Sequence, residues 1–279
     1  MDVAAYLRRI NYQGPLKPTA ETLRALQLAH LYSVPFENLD IHLGQRIVLD
    51  EERFFEKIVV RRRGGFCYEL NGLFAALLRE LGFKVSRLSA RVPREDGSPT
   101  PEFDHMALRV DIEQPWLADV GCGDSFLQPM PLHDGAECRQ LDADYSLADE
   151  GHRWMVIKRL QEFQWKLLYE FTLGAHELPE FAGMCEWQQT SPQSPFVKRR
   201  ICTLAVPTGR ITLANMRLIV TENGVRTERE LNREQDYFAA LRKYFDVDLG
   251  SGPVIWQLQP DTKPREIPFA MQDTKTWKF

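Results

Sequence analysis

The sequence is poor in the features that mark several classes of protein. Five cysteines and six histidines are spread over 279 residues. No two cysteines form a CxxC pair, so neither a disulfide framework nor a zinc site is predicted. No run of about 18 apolar residues occurs, and the N-terminus lacks the apolar segment of a signal peptide. We therefore expect a cytosolic protein with no membrane partner and no metal.

An excess of positive charge is also missing. The formal net charge is −4 at pH 7, and the isoelectric point is about 5.9. The basic residues are scattered apart from Arg61–Arg63, whereas nucleic-acid binders carry a basic patch or stripe. Nucleic acid is therefore not expected as a partner. The sequence does contain 44% hydrophobic residues, which is enough for a sizeable folded core.

Hydrophobic periodicity divides the chain into three regions. Helical spacing dominates residues 1–83 and predicts a helical bundle. Short alternating runs, separated by Pro, Gly and Asp clusters, dominate residues 84–200 and predict an antiparallel β-barrel or curved sheet. Residues 201–279 mix strands with a helix over Glu234–Phe245, for which Asn232 is a candidate cap. The predicted fold class is α+β.

Cys67 lies in the stretch RRRGGFCYELNG, at the start of a predicted helix that ends before Gly82. A helix start presents unpaired N–H groups and the positive end of the helix dipole to the sulfur, which favours thiolate over thiol. A lone cysteine is equally compatible with a small buried hydrophobe. Both interpretations stand on this stretch alone.

The segment HMALRVDIEQPWLADVG predicts a β-hairpin that brings a histidine and an aspartate together. If Val110 faces Trp116, His105 and Asp119 lie on the same face within side-chain reach. A register slip of one residue would send Asp119 to the opposite face. A cysteine, an imidazole and a carboxylate form the set of a thiol acyl-transfer site. A strand histidine and a polar hairpin residue without catalytic roles remain the alternative.

Five stretches carry a resemblance to a known family. They are RRRGGFCYELNGLF, VPFENLDIHLG, HMALRV, WLADVGCGDSF and EWQQTSPQSPF. In order and spacing, and over most of the chain, they are similar to the arylamine N-acetyltransferase family. The resemblance implies a helical bundle, a β-barrel and an α/β lid, with a Cys-His-Asp core like that of papain-type thiol enzymes.

The resemblance also implies a reaction. Acetyl would pass from acetyl-CoA to an arylamine or arylhydrazine nitrogen, or to the oxygen of an N-hydroxyarylamine. Cys67 would be the acetylated nucleophile, His105 its partner and Asp119 the residue that orients His105. There are three alternatives: a related acyltransferase that uses another acyl-CoA or amine, a thiol hydrolase, and a non-catalytic binding module. A binding module would most simply be marked by loss of Cys67, His105 or Asp119, and all three are present.

An aromatic acceptor needs an apolar slot beside the sulfur. Phe36, Phe66, Cys122 and Phe126 are the candidates for its lining, with plain core packing as the alternative for each. Where this chain has DVGCG, the family pattern commonly has an aromatic residue, DVGFG. We therefore expect the thiol of Cys122 to widen the slot and to keep an ordinary thiol pKa.

The coenzyme cleft is predicted from the resemblance alone. Trp187 and Gln193, in the stretch that matches EWQQTSPQSPF, are the candidate CoA contacts. Glu102 lies shortly before the histidine, where its carboxylate would repel a diphosphate. The main-chain N–H groups of Gly97 or Ser98 are therefore expected to contact the phosphates.

A charged cluster is predicted to tie the bundle to the RGG turn. In this family the positions of Arg9, Glu37 and Arg63 can form such a cluster, and Glu37 is the one acid in VPFENL.

Overall fold

Helices and one short strand fill the first part of the chain. The computed structural model describes residues 1–94, 96–140, 143–161, 164–250 and 256. The first elements are α1 (Val3–Arg9), α2 (Ala20–Ser33), β1 (Phe36–Glu37), α3 (Leu39–His42), α4 (Glu51–Phe55), a π-helical turn (Glu56–Val60) and α5 (Cys67–Glu80). None of the described helices is both long and apolar enough to cross a membrane.

Helix α5 is the most deeply buried of these helices. Its apolar residues recur at helical spacing, and Leu70, Leu73 and Phe74 are fully buried. Burying each such side chain contributes about 1.5–3 kcal/mol. The chain leaves the helix through Gly82, whose φ of +88° suits glycine. The predicted helix is confirmed, and Cys67 is its first residue.

An eight-stranded sheet follows α5. Its strands are β2 (Lys84–Arg91), β3 (His105–Asp111), β4 (Pro115–Ala118), β5 (Met130–Pro131), β6 (Glu137–Arg139), β7 (Asp144–Asp149), β8 (Trp154–Gln161) and β9 (Gln164–His176). Neighbours pair antiparallel in the order β5-β4-β3-β2-β9-β8-β7-β6. The sheet curves into a nearly closed barrel, as predicted.

The register of β3 and β4 places the histidine and the aspartate at one end of this barrel. Val110 is opposite Trp116, which is the predicted pairing. His105 begins β3, opposite Ala90 of β2. Strand β4 ends at Ala118, so Asp119 lies just beyond the ladder.

Two helices in residues 84–200 were not predicted. A short 3₁₀ turn (Leu178–Phe181) leads into α6 (Ala182–Thr190), and α7 (Pro195–Lys198) follows. The buried residues of α6 are Cys185, Gln188 and Gln189. Because two of the three are polar, the sequence of α6 has no apolar helical period.

A second antiparallel sheet pairs the short strand β1 of the first region with four strands of the last region. Strands β10 (Ile201–Val206), β11 (Gly209–Ala214), β12 (Arg217–Glu222) and β13 (Val225–Glu230) precede α8 (Glu234–Phe245). Strand β1 pairs with β10, with Phe36 opposite Thr203. The predicted helix α8 is confirmed, but its N-cap is Arg233 rather than Asn232.

The boundaries of the three predicted regions fall between these elements. Helix α5 and β2 flank the first boundary, and α7 and β10 flank the second. The division into 1–83, 84–200 and 201–279 as separate units stays a prediction. Within the last range, 251–255 and 257–279 lie outside the described residues.

A buried ionic cluster supports the turn before α5. Arg63 pairs with Glu37 and with Asp40, each at 2.8 Å. Lys57 pairs with Asp40 at 2.9 Å and with Glu69 at 2.8 Å. All five residues are at most 5% exposed. The cluster therefore joins β1, α3 and the π-helical turn to the first turn of α5.

Arg9 is not part of this cluster, which corrects the predicted trio. Its guanidinium donates instead to the main-chain carbonyls of Ile58 at 2.9 Å and Ser33 at 2.6 Å. Both carbonyls lie near the C-terminal end of a helical segment, where carbonyl groups lack partners within the helix. The predicted contact between Glu37 and Arg63 is confirmed.

Glu37→Gln should lower the free energy of unfolding by about 3–5 kcal/mol, because it leaves the cations Arg63 and Lys57 with one carboxylate fewer in a dry site. Urea unfolding measures the loss. The matched control is Glu186→Gln, whose exposed pair with Arg46 should contribute less than about 1 kcal/mol. Equal losses in both variants would contradict a strongly stabilising buried cluster.

Candidate active site

Two glycines bring the turn before α5 close to its neighbours. A Cβ on Gly64 would lie 2.0 Å from the carbonyl oxygen of Pro35. Gly65 bridges to Phe36, and a Cβ there would lie 2.8 Å from the side chain of Glu69. Larger residues would force the turn apart. The glycines thus fix where α5 begins, and with it the position of Cys67.

The Cys67 thiol is buried at this helix start, and burial changes its acidity. Burial raises the pKa of the thiol well above its usual value, and the carboxylates of Asp104 and Asp119 raise it further. A hydrogen bond from the main chain of Met106 acts in the opposite direction. Burial and the two carboxylates thus oppose the thiolate that the helix start favours. The expected thiolate stays a prediction.

His105 and Asp119 form a buried hydrogen-bonded pair. His105 Nε2 lies 2.8 Å from Asp119 Oδ2, and both side chains are at most 5% exposed. The register of β3 and β4 produces this contact, so the geometric part of the prediction is confirmed. With Nε2 held by the carboxylate, Nδ1 is the ring nitrogen that remains for proton exchange. The ring of Tyr169 packs on the imidazole, with centroids 4.9 Å apart.

Asn71 joins α5 to the loop that contains Asp119. Its Nδ2 donates to Asp119 Oδ1 at 2.8 Å and to the carbonyl of Met106 at 2.5 Å. Its Oδ1 accepts from the main-chain N–H of Val120 at 2.9 Å. The sequence analysis did not find this residue. The polar Asn71 within the apolar run of α5 is the signal that could have found it.

Asp119 remains ionised although it is buried. Burial alone would raise the pKa of the carboxyl. The charge of His105, its hydrogen bond, the Asn71 amide and the Gly121 N–H together lower the pKa below its usual value. The Gly121 N–H donates to Asp119 Oδ1 at 2.8 Å. A stable carboxylate therefore faces the imidazole.

The Asp119 loop packs directly on the helix start. A Cβ on Gly121 would lie 2.7 Å from the Cα of Cys67. The sulfur also has a hydrogen bond with the main chain of Met106, the residue after His105. Cys67 therefore lies close to the strand of His105, and the joint action of Cys67, His105 and Asp119 stays a prediction. A thiol, an imidazole and an orienting carboxylate can perform nucleophilic acyl transfer. Among the described residues, no group of three His, Cys, Asp or Glu side chains could hold a metal ion.

Comparison with known proteins assigns the family. The sequence model of a family described as N-acetyltransferase matches residues 19–254. An arylamine N-acetyltransferase / N-hydroxyarylamine O-acetyltransferase from Salmonella typhimurium is 38% identical over 229 residues, 81% of each chain. The solved structure of the arylamine N-acetyltransferase from Salmonella typhimurium matches with a TM-score of 0.84 at 34% identity, over 90% of this chain and 94% of that one. The chain belongs to the arylamine N-acetyltransferase family.

A ligand complex is known for another family member. The Mycobacterium marinum arylamine N-acetyltransferase in complex with CoA matches with a TM-score of 0.81 at 31% identity. The match covers 88% of this chain and 93% of that one. The members of this family are acyltransferases.

An aromatic cluster formed by Phe36, Phe66 and Phe196 lies beside the start of α5. Phe66, the residue before Cys67, contacts the ring of Phe196 edge-on at 5.8 Å. Phe36 lies 6.0 Å from the same ring and is partly exposed. Phe66 is fully buried, so it supports this group from behind. Phe196 was not among the predicted residues, although it ends the quoted stretch EWQQTSPQSPF.

Phe126 and Cys122 lie on the barrel side of the site. Phe126 is buried in the barrel core against Tyr145, with ring centroids 6.3 Å apart. It is therefore not brought to Phe36. Burial and the charge of Asp119 raise the pKa of Cys122 to about 12. The expected ordinary thiol pKa is wrong, and Cys122 is even less reactive than expected. The acceptor roles of these residues stay predictions.

The predicted CoA contacts lie on the surface of the α6–α7 segment. Trp187 on α6 is 38% exposed, and Gln193 is also exposed between α6 and α7. Exposure leaves both side chains available to a ligand, and their role stays a prediction. Their buried neighbours make polar contacts instead: Gln188 donates to Asp104, and Ser194 donates to the main-chain carbonyl of Gln188.

The two main-chain N–H groups predicted to contact phosphates are already used within the loop before His105. The N–H of Gly97 donates to the Arg94 carbonyl at 2.9 Å, and the N–H of Ser98 donates to Asp96 Oδ1 at 2.9 Å. Because both donors are used inside the turn, the expected phosphate contact is not supported. The carboxylate of Glu102 is bound by Ser89 and Arg91.

Asn71→Ala should lower stability and acetyl transfer together. It removes one donor from the buried Asp119 carboxylate and leaves Met106 and Val120 main-chain groups unpaired, each at a cost of about 1–3 kcal/mol. Urea unfolding and the turnover rate of folded protein measure the two effects. Gln189→Ala is the control, since it breaks buried hydrogen bonds to Ile47 away from Asp119. Equal activity of the two variants would contradict a role of Asn71 in holding Asp119.

Proposed function

We propose that the protein transfers acetyl from acetyl-CoA to arylamines, arylhydrazines or N-hydroxyarylamines through a thioester on Cys67. The observation that carries the proposal is the buried thiol at a helix start, beside a hydrogen-bonded pair of His105 and Asp119. The names of the relatives support the acceptor class. The CoA complex of a structural neighbour supports the donor.

In the first half-reaction Cys67 Sγ attacks the thioester carbonyl of acetyl-CoA. Because burial raises the pKa of the thiol, its proton must leave as the sulfur attacks. His105 Nδ1 accepts that proton, and Asp119 stabilises the resulting imidazolium. The carbon–sulfur bond of the donor breaks, and His105 returns the proton to the CoA thiolate. Acetyl-Cys67, CoA thiol and neutral His105 result.

In the second half-reaction the acceptor amine attacks acetyl-Cys67. Neutral His105 accepts the proton that the amine nitrogen loses. The carbon–sulfur bond of acetyl-Cys67 then breaks, and the Cys67 thiolate takes this proton from His105. Main-chain N–H groups at a helix start have no partner within the helix. We assign the Cys67 N–H to the oxyanion of both tetrahedral intermediates. A papain-like catalytic triad is part of this proposal.

A cytosolic location belongs to the proposal as well. All five cysteines are free thiols, which fits a reducing compartment. The proposed reaction uses acetyl-CoA as a substrate and no metal.

Incubation with acetyl-CoA alone should add one acetyl group to Cys67, because the first half-reaction needs no acceptor. Mass spectrometry of the intact protein and of its peptides measures this. Cys67→Ala should abolish acetylation of both protein and amine. Cys138→Ala, which changes a cysteine of the barrel core, is the control and should stay active. Amine acetylation at a normal rate by Cys67→Ala would refute the assignment, and release of acetate without acetylated amine would indicate a hydrolase.

Cys122→Phe should raise KM for bulky ring-substituted arylamines more than for unsubstituted ones. Cys122 follows Gly121, which packs on Cys67, and precedes Gly123, where a Cβ would lie 3.4 Å from the Phe36 ring. A phenyl ring there would narrow the slot. The rate of Cys67 acetylation should stay nearly unchanged. Cys122→Ser keeps the size of the side chain and is the control. An equal effect of Cys122→Phe on large and small acceptors would contradict the slot.

A further inference from the structure

Asp104 is a buried carboxyl directly before β3. The proposed reaction assigns no role to it. It directly precedes His105 and is 8% exposed. None of the described arginines or lysines forms an ion pair with it. Its Oδ1 instead accepts from Gln188 Nε2 of α6 at 2.6 Å. A main-chain hydrogen bond from Val92 also reaches this carboxyl. A buried carboxyl held by neutral donors needs these contacts to be well made.

Gln188 extends this contact to the turn between α6 and α7. The Ser194 hydroxyl lies 2.7 Å from the main-chain carbonyl oxygen of Gln188 and 2.8 Å from Gln188 Oε1, and its one hydrogen is shared between these two acceptors. The side-chain amide of Gln188 thus has a partner at each end, Asp104 at Nε2 and Ser194 at Oε1, which fixes its orientation. Ser194 is fully buried, and its Oγ accepts from the main-chain N–H of Phe196 at 3.1 Å.

At one end of this chain of hydrogen bonds, Ser194 binds Phe196, which belongs to the aromatic cluster beside Cys67. The ring of Phe196 lies 5.8 Å from that of Phe66 and 6.0 Å from that of Phe36. At the near end, the Tyr68 hydroxyl donates to the carbonyls of Phe103 at 2.7 Å and Asp104 at 3.2 Å. One path of contacts therefore runs from the strand of His105 to the ring of Phe196.

We propose that Asp104, Gln188 and Ser194 form a positioning chain that holds Phe196 against Phe66 and so sets the width of the acceptor slot at Cys67. The inference rests on the proposed arylamine acetylation. None of the three side chains touches the reacting atoms under this proposal. Their effect falls on binding of the aromatic acceptor and not on the attack of Cys67 on acetyl-CoA.

Gln188→Leu removes the centre of the chain at similar volume. It should raise KM for arylamine acceptors about tenfold, which corresponds to one lost hydrogen bond of about 1.4 kcal/mol. The rate of Cys67 acetylation by acetyl-CoA alone should not change. Asp104→Asn keeps the accepting oxygen and should leave the acceptor KM unchanged, whereas Asp104→Leu should raise the acceptor KM as much as Gln188→Leu does.

Gln189→Leu is the matched control. Gln189 is the next residue on α6, is also buried, and hydrogen-bonds to Ile47 rather than to Asp104. It should lower the melting temperature without changing the acceptor KM. If Gln188→Leu does not fold, Ser194→Ala, which deletes one oxygen at the other end of the chain, replaces it with the same expected rise in KM.

Four results would overturn the inference. The first three are an unchanged acceptor KM in the variant tested, an equal rise of KM in Gln189→Leu, and a fall of the Cys67 acetylation rate as large as the rise of KM. A loss in Asp104→Asn as large as in Asp104→Leu would also overturn it, since the charge and not the contact would then matter. Failure of the proposed function is distinguishable, because the unaltered protein would then form no acetylated amine.

Discussion

The site depends on one buried negative charge, the carboxylate of Asp119. An isolated ionised carboxylate in a protein interior is strongly unfavourable, so the surrounding chain has to supply donors. Asn71, His105 and the Gly121 N–H do so. Asn71 belongs to α5, His105 is the first residue of β3, and Gly121 lies in the loop after β4. Satisfying this charge therefore fixes the bundle, the barrel and the loop relative to one another.

Burial also affects the acidity of Cys67. The helix start and the Met106 main chain stabilise a thiolate, whereas burial and two nearby carboxylates oppose it. The proposed mechanism therefore starts from a neutral thiol, whose proton the imidazole takes. Burial also raises the pKa of Glu69, two residues after Cys67, to about 7, although the charge of Lys57 lowers it.

Patterns that repeat along the chain predicted the helices and strands, whereas the family resemblance supplied the roles of the site residues. The apolar period of α5 placed Cys67 at a helix start. The pairing of Val110 with Trp116, on which the contact of His105 with Asp119 was conditional, is the one that the structure has. Asn71 and Lys57 were not predicted, because their partners are distant in sequence and a single polar residue carries no period. The Arg9 error has another origin, the family resemblance. A matching position does not show whether a guanidinium binds carboxylates or, as Arg9 does, carbonyls.

The α6–α7 segment shows why polar contacts define what hydrophobic patterning leaves open. Gln188 and Gln189 are neighbours of identical chemistry, yet one binds Asp104 and the other binds Ile47. Successive residues on a helix point in directions about 100° apart, so the two amides tie α6 to two different parts of the molecule. Apolar contacts tolerate small shifts, whereas a buried amide keeps its hydrogen bonds only in a narrow range of geometry. A helix with few apolar contacts can therefore hold a fixed place beside the site through its glutamines.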